Sequence, residues 1–263
     1  MTDPPHRSTP PGLAQRTTAA APWWLPLQLA YAGYAAAVFL ACALLTLPPL
    51  ALLPTLASRR RLIHWAGRAA LTLMGMPVRV RWHAPLPDPC IVVANHCSYL
   101  DGVVLAAVLP PRFDFVIKRE MDSVPLAGFL LNRIGVQFVT RGNRAGSGRD
   151  ALRVMRSAAG GCSLAFFPEG TFEPRPGLLR FHTGAFAAAE RAGAPVVPLV
   201  IRGTRRCLPP GGFLPRPGLI EVATFAPIAP LRGHPEGAAL LRDAARAAIL
   251  AAVDGDEAAG AAA

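Results

Sequence analysis

The sequence has 263 residues, enough for one large domain or two small ones with a core that needs no disulfide staples. It is 52% hydrophobic and only 16% charged, with a mean hydropathy of +0.34, which excludes a disordered chain and is unusual for a fully water-soluble enzyme. Lys and Arg number 27 against 16 Asp and Glu, a net charge of +11 that suits an anionic membrane surface or phosphorylated ligands; scattered arginines and only three tyrosines argue against nucleic acid.

Residues 1–22 are aperiodic and rich in Pro, Ser and Thr, and they read as a disordered tail. An anchoring region follows over residues 23–76. No charge occurs from Leu25 to Ala57, and residues 27–47 also lack proline. As a helix they measure about 32 Å, against a hydrocarbon core of roughly 30 Å. Trp23, Trp24, Tyr31 and Tyr34 stand where aromatic rings favour a membrane interface. Arg59, Arg60 and Arg61 follow, so the positive-inside rule puts the C-terminal side in the cytoplasm. A signal peptide is the alternative, but the apolar stretch is too long and starts too late. Pro48, Pro49 and Pro54 are expected to break the helix. Residues 59–76 then resume as an amphipathic, interfacial helix, so a hairpin dipping into one leaflet is the other anchor geometry.

Residues 77–253 alternate short apolar runs with helical patterns. Strands are expected at 78–83, 90–94, 113–117, 136–140, 162–167, 196–201 and 219–225. Helices are expected at 102–109, 124–134, 147–159, 182–192 and 236–253. Several strands are continuous β-branched or aromatic runs, as when both sheet faces are buried. The fold class is therefore α/β: a largely parallel or mixed sheet flanked by helices, preceded by a membrane-anchoring helix or helical hairpin. Residues 254–263 read as a frayed, Ala-rich tail. Five cysteines without a CxxC pair speak against a disulfide framework, and the six histidines do not join them at zinc-ligand spacing, so no metal is expected.

Three constellations carry chemistry. Asn95, His96 and Asp101 lie between a buried strand and a helix, where reactive groups of open α/β sheets collect. A histidine there can take a proton from a hydroxyl, and an aspartate on its other nitrogen can fix the tautomer. Residues five apart diverge on a regular helix, so the pairing needs a loop-to-helix bend. Ser98 and Asp101 also resemble a capping box, and Asn95 can simply tie the loop together. Cys97 lacks an evident activating partner for nucleophilic work. The second constellation is Phe167-Pro168-Glu169-Gly170-Thr171, a turn whose carboxylate and hydroxyl can grip a polyol, or a plain β-turn. The third is Lys118 and Arg141, each at a strand end, with Pro125, Gly128 and Gly135 between them; such a pair can clamp a phosphate or remain solvated charge. Gly146-Ser147-Gly148 lacks the spacing of a P-loop.

In this order the three segments resemble the glycerolipid acyltransferases of the lysophosphatidic acid acyltransferase type. Asn95, His96 and Asp101 match that family's NHxxxxD motif. Lys118, Pro125, Gly128, Gly135 and Arg141 match its basic segment, Phe167 to Thr171 its FPEGT motif, and Val196-Val197-Pro198 its fourth, apolar segment. The departure is Phe172, where the family often has a basic or polar residue. The resemblance implies direct acyl transfer from acyl-CoA or acyl carrier protein to the free hydroxyl of 1-acyl-glycerol 3-phosphate, giving phosphatidic acid in phospholipid biosynthesis. It implies His96 as base and Asp101 as its holder. Asn95, Lys118, Arg141, Glu169, Gly170 and Thr171 are implied as acceptor-binding residues. No cofactor is implied beyond the acyl carrier as co-substrate. The implied partners are membrane lipids, the lysophospholipid acceptor and the carrier. The alternatives are another hydroxylated acceptor, an acyl-thioester hydrolase and a non-catalytic membrane module.

Overall fold

The computed structural model describes residues 24–140, 144–173, 175 and 177–260. The expected N-terminal tail (1–22), Arg141 and the last three residues lie outside the described residues. The chain runs through helices α1 (Leu25–Leu52) and α2 (Leu56–Leu73), then strands β1 (Val78–Arg81) and β2 (Ile91–Ala94). It continues through α3 (Leu100–Val108), β3 (Asp114–Lys118), a 3-10 turn (Arg119–Ser123), α4 (Ala127–Arg133), β4 (Gln137–Val139), α5 (Arg144–Ala159) and β5 (Leu164–Phe166). It ends with α6 (Gly184–Ala192), β6 (Val196–Arg202), α7 (Thr204–Cys207), β7 (Ile220–Thr224) and α8 (Gly237–Gly260). The strands form a seven-stranded sheet in the order β1-β7-β6-β2-β5-β3-β4. Every neighbouring pair is parallel except β6 with β7, so the sheet is mixed.

All four residues of β2 are buried, and their alternation divides the core into two layers. Val92 and Ala94 face a cluster with Leu71, Val104, Leu105 and Phe113 under α2 and α3. Ile91 and Val93 face a second cluster with Val154, Phe186, Leu241 and Ile249 under α5, α6 and α8. That burial on both faces is why the strand reads as an unbroken apolar run.

Helices α1 and α2 form an antiparallel hairpin against the first layer. The Tyr31 and Tyr34 hydroxyls donate to Met74 O and Leu73 O at 2.5 and 2.8 Å. Helix α1 is long and apolar enough to cross a membrane. Pro48 and Pro49 do not break it, contrary to expectation; both lie inside its final turns. Each proline costs one N–H donation to the carbonyl four residues before it; beyond them Pro49 O accepts Leu53 N–H, and Arg133 of α4 caps the terminal carbonyls Leu50 O and Ala51 O. The turn falls at residues 53–55, where Thr55 caps α2 by accepting Ser58 N–H.

The arginine triplet also separates. Arg59 donates to Leu53 O and Pro54 O. Arg60 is buried and meets the Asp114 carboxylate at 2.5 Å and Ile134 O at 2.9 Å, riveting α2 to β3. Only Arg61 is exposed. At the tail, α8 continues as helix beyond residue 253 to Gly260.

Candidate active site

Strands β2, β5, β3, β4 and β6 run in one direction, so their C-terminal ends share one sheet edge. His96 follows β2, Phe167 follows β5, Lys118 ends β3, and Thr140 follows β4. The required bend lies between β2 and α3. His96 Nδ1 and Asp101 Oδ2 are 2.8 Å apart. The same Oδ2 accepts Cys97 N–H at 2.6 Å and Ser98 N–H at 2.8 Å. Asp101 is 0% exposed and its side-chain partner His96 18%. A buried carboxylate that holds three donors keeps the proton on Nδ1, which leaves Nε2 as the acceptor nitrogen. Half of the capping box forms: Asp101 reaches back to Ser98 N–H, while the Ser98 hydroxyl accepts Leu100 N–H and donates to Leu208 O.

Asn95 is buried and turned away from the site. Its amide donates to Ile201 O at 2.9 Å and accepts Ile201 N–H at 2.7 Å, binding β2 to β6 below the loop of His96. Glu169 is 3% exposed, and it too faces inward. Oε1 accepts His96 N–H at 2.6 Å and Oε2 accepts Leu179 N–H at 2.8 Å. Burial pushes its carboxyl up, partly offset by those two N–H donors. Both side chains therefore brace the loop of His96, which is a different task from the acceptor contact implied by resemblance. Gly170 takes φ +77° and closes the turn by donating to Phe167 O, and Thr171 is exposed beside it. Burial, with the Asp101 charge, drives the Cys97 thiol up to about 11, so it is no nucleophile.

The imidazole of His96 stacks on Phe167, with centroids 4.2 Å apart, and meets Phe172 edgewise at 4.5 Å. Tyr99 extends this aromatic wall to Phe172 at 4.8 Å. Phe167 also lines an apolar cavity of about 230 Å³ between α1, α2, α3, α4 and β3. Among its walls are Cys42, Gly67, Val103, Phe115 and Leu130. Through Phe167 the cavity adjoins the His96 ring.

Lys118 sits two strands from β2, about 10 Å along the edge at 4.8 Å per strand. It is exposed, 3.6 Å from the Glu120 carboxylate. Arg141 lies outside the described residues; Thr140 before it donates its N–H and hydroxyl to Asp150. Arg119 and Arg153 pair with the same Asp150 at 3.1 and 3.0 Å. Arg153 reads from the sequence as surface charge and is exposed, but the cluster around Asp150 is not legible there, because nothing in the spacing announces a buried aspartate. Gly128 has a steric reason to be glycine: a Cβ there meets Asp122 O at 2.1 Å.

The Acyltransferase family model matches residues 77–202. The chain is 31% identical over 157 residues to a chloroplastic 1-acyl-sn-glycerol-3-phosphate acyltransferase of Brassica napus, covering 57% of this chain and 45% of that one. It is 35% identical over 154 residues to the lyso-ornithine lipid O-acyltransferase of Pseudomonas aeruginosa, covering 57% of each. The chain thus spans about half the length of the curated relatives it matches. The crystal structure of the 1-acyl-sn-glycerophosphate acyltransferase PlsC from Thermotoga maritima superposes with a TM-score of 0.70 at 25% identity, over 89% of this chain and 96% of that one. Motif, fold and sequence match converge on the strand-end histidine, and over residues 77–202 the chain is similar to acyltransferases.

Proposed function

We propose that the protein transfers an acyl group from an acyl thioester, acyl-CoA or acyl carrier protein, to the free hydroxyl of 1-acyl-glycerol 3-phosphate. The product is phosphatidic acid, for phospholipid synthesis. One observation carries this reading: an Asp-held imidazole stacked on the aromatic ring that lines a 230 Å³ apolar cavity. His96 Nε2 takes the hydroxyl proton as the oxygen attacks the thioester carbonyl. Asp101 stabilises the imidazolium that forms. The C–S bond then breaks, and the imidazolium returns its proton to the leaving thiolate. No acyl-enzyme and no resident cofactor enter these steps.

Lys118 and Arg141 take the acceptor's phosphate in this reading, and Thr171 faces its glycerol. The catalytic domain faces the cytoplasm. The antiparallel packing of α1 on α2 and the domain supports an anchor that dips into one leaflet, so that both ends of α1 stay on the domain's side. The test is an acyl-thioester assay with lysolipid acceptor on folded wild type and His96→Ala. Loss of general-base assistance is expected to cost about 10²–10⁴-fold. Near wild-type transfer by the variant would falsify the mechanism.

Phe172 favours a second reading. Its ring contributes a neutral edge beside His96, and a relative acting on a lyso-ornithine lipid is 35% identical. The same chemistry then serves an acceptor without a phosphate. Paired assays with phosphorylated and unphosphorylated acceptors separate the two by kcat/KM.

A further inference from the structure

We infer that the connection between β6 and β7, residues 209–218, is a second point of membrane contact, set beside the first turns of α1. Its tip is Phe213, 88% exposed, the most exposed large apolar side chain among the described residues. A lone exposed apolar residue means little by itself. Here it stands in continuity with a surface already suited to lipid. Pro215, Arg216 and Pro217 form one wall of an apolar groove of about 600 Å³, and Trp24, Leu27 and Tyr31 of the α1 end form the other. Trp and Tyr settle at the membrane–water interface, so the loop lies at the depth where an inserted Phe leaves water and neighbouring cations meet headgroups. Both Arg206 and Arg216 are exposed, and no acidic residue occurs from Cys207 to Ile220. That charge selects an anionic lipid surface over an acid-free protein face.

The loop is built to keep its shape. Pro209, Pro210, Pro215 and Pro217 restrict it, which lowers the entropy lost on docking. Gly218 N–H donates to Gly75 O and Arg216 N–H to Cys207 O, tying its C-terminal side to the end of α2 and to α7. Its start is held by the Ser98 hydroxyl on Leu208 O, in the loop of the catalytic pair. Membrane contact at Phe213 therefore presents the His96 edge of the sheet to the bilayer from which an amphiphilic acceptor arrives. The inference concerns how the chain sits on lipid and does not depend on the proposed reaction.

The experiment uses the full chain reconstituted in vesicles of phosphatidylglycerol and phosphatidylethanolamine, with acyl chains brominated in one arm. Phe213→Trp is compared with wild type, so that emission from the native tryptophans subtracts. The added indole is expected to emit blue-shifted and to be quenched by the bromines. Replacing the anionic lipid with phosphatidylcholine, or adding Arg206→Ala and Arg216→Ala, is expected to weaken that quenching. Water-like, unquenched emission from residue 213 in anionic vesicles overturns the inference, as does blue-shifted emission that appears only with a protein partner. Quenching unaffected by lipid charge and by both arginine replacements overturns its electrostatic part. These readouts need no turnover, so an inactive preparation still decides them.

Discussion

Glu169 accepts a backbone N–H on each carboxylate oxygen, from His96 and from Leu179, in a site that is almost closed to solvent. Two donors need two acceptors, and a glutamine supplies one oxygen and one NH₂. Glu169→Gln is therefore expected to leave one N–H facing another donor, at about 1–3 kcal/mol for an unsatisfied buried group. The loop that carries His96 absorbs the strain. Kinetics should show kcat reduced about 10–100-fold, with the KM for the acceptor little changed. A variant altered in acceptor KM alone marks Glu169 as a substrate ligand and not a brace. This difference also shows what sequence could reveal. The five-residue spacing of His96 and Asp101 at a strand end is a chemical statement, and the pair meets as expected. The tasks of Glu169 and Asn95 depend on which backbone amides the folded loops bring to them, Leu179 and Ile201, and sequence spacing carries no record of that.

The elements were legible because their periods were clean. All seven expected strands form, their ends shifted by a residue or two, and burial on both faces of β2 matches its unbroken apolar run. Less was legible where one element completes another. The terminal carbonyls of α1, at Leu50 and Ala51, are completed by Arg133 reaching over from α4. Asp150 of α5 similarly ties the ends of β3 and β4 together through Arg119 and Thr140. Burial alone raises its carboxyl, but the Thr140 N–H and hydroxyl, then Arg119 and Arg153, outweigh it and hold the group at about 2. A depressed carboxyl stabilises the fold above the unfolded value, and the contribution fades as pH falls through the folded one. Asp150→Asn is thus expected to lower Tm at neutral pH. The gap from wild type should close between the ordinary value of 3.8 and about 2. A gap that is constant across that range assigns the loss to packing, not charge. Because Thr140 adjoins Arg141, the same variant is expected to weaken phosphorylated acceptors more than unphosphorylated ones.

For the molecule as a whole, the α1–α2 hairpin and the α/β domain share one cavity. Sequence reading separates residues 23–76 from the α/β domain because the uncharged run and the amphipathic helix after it end there. Yet Phe39, Cys42, Ala43 and Thr46 of α1 wall the space that Phe167 connects to His96. Thr46 keeps that wall dry by turning its hydroxyl back onto Cys42 O at 2.6 Å. In the proposed reaction, α1 therefore also sets the room for the transferred chain. Cys42→Phe places a ring in the cavity from the α1 side, far from the reacting atoms. Short acyl donors, which do not reach that wall, should react nearly as in wild type. Long donors must displace the ring or bind out of register, and overpacking a fitted core costs about 1–3 kcal/mol. The expected result is a shift of the chain-length optimum toward shorter donors, by roughly 5–100-fold in relative kcat/KM for long chains. The measurement is a competition among acyl thioesters of increasing length, on wild type and variant with matched Tm. Equal loss at every length assigns the effect to the fold of the hairpin and removes α1 from the acyl site. A selective loss at long chains makes the anchor part of substrate recognition.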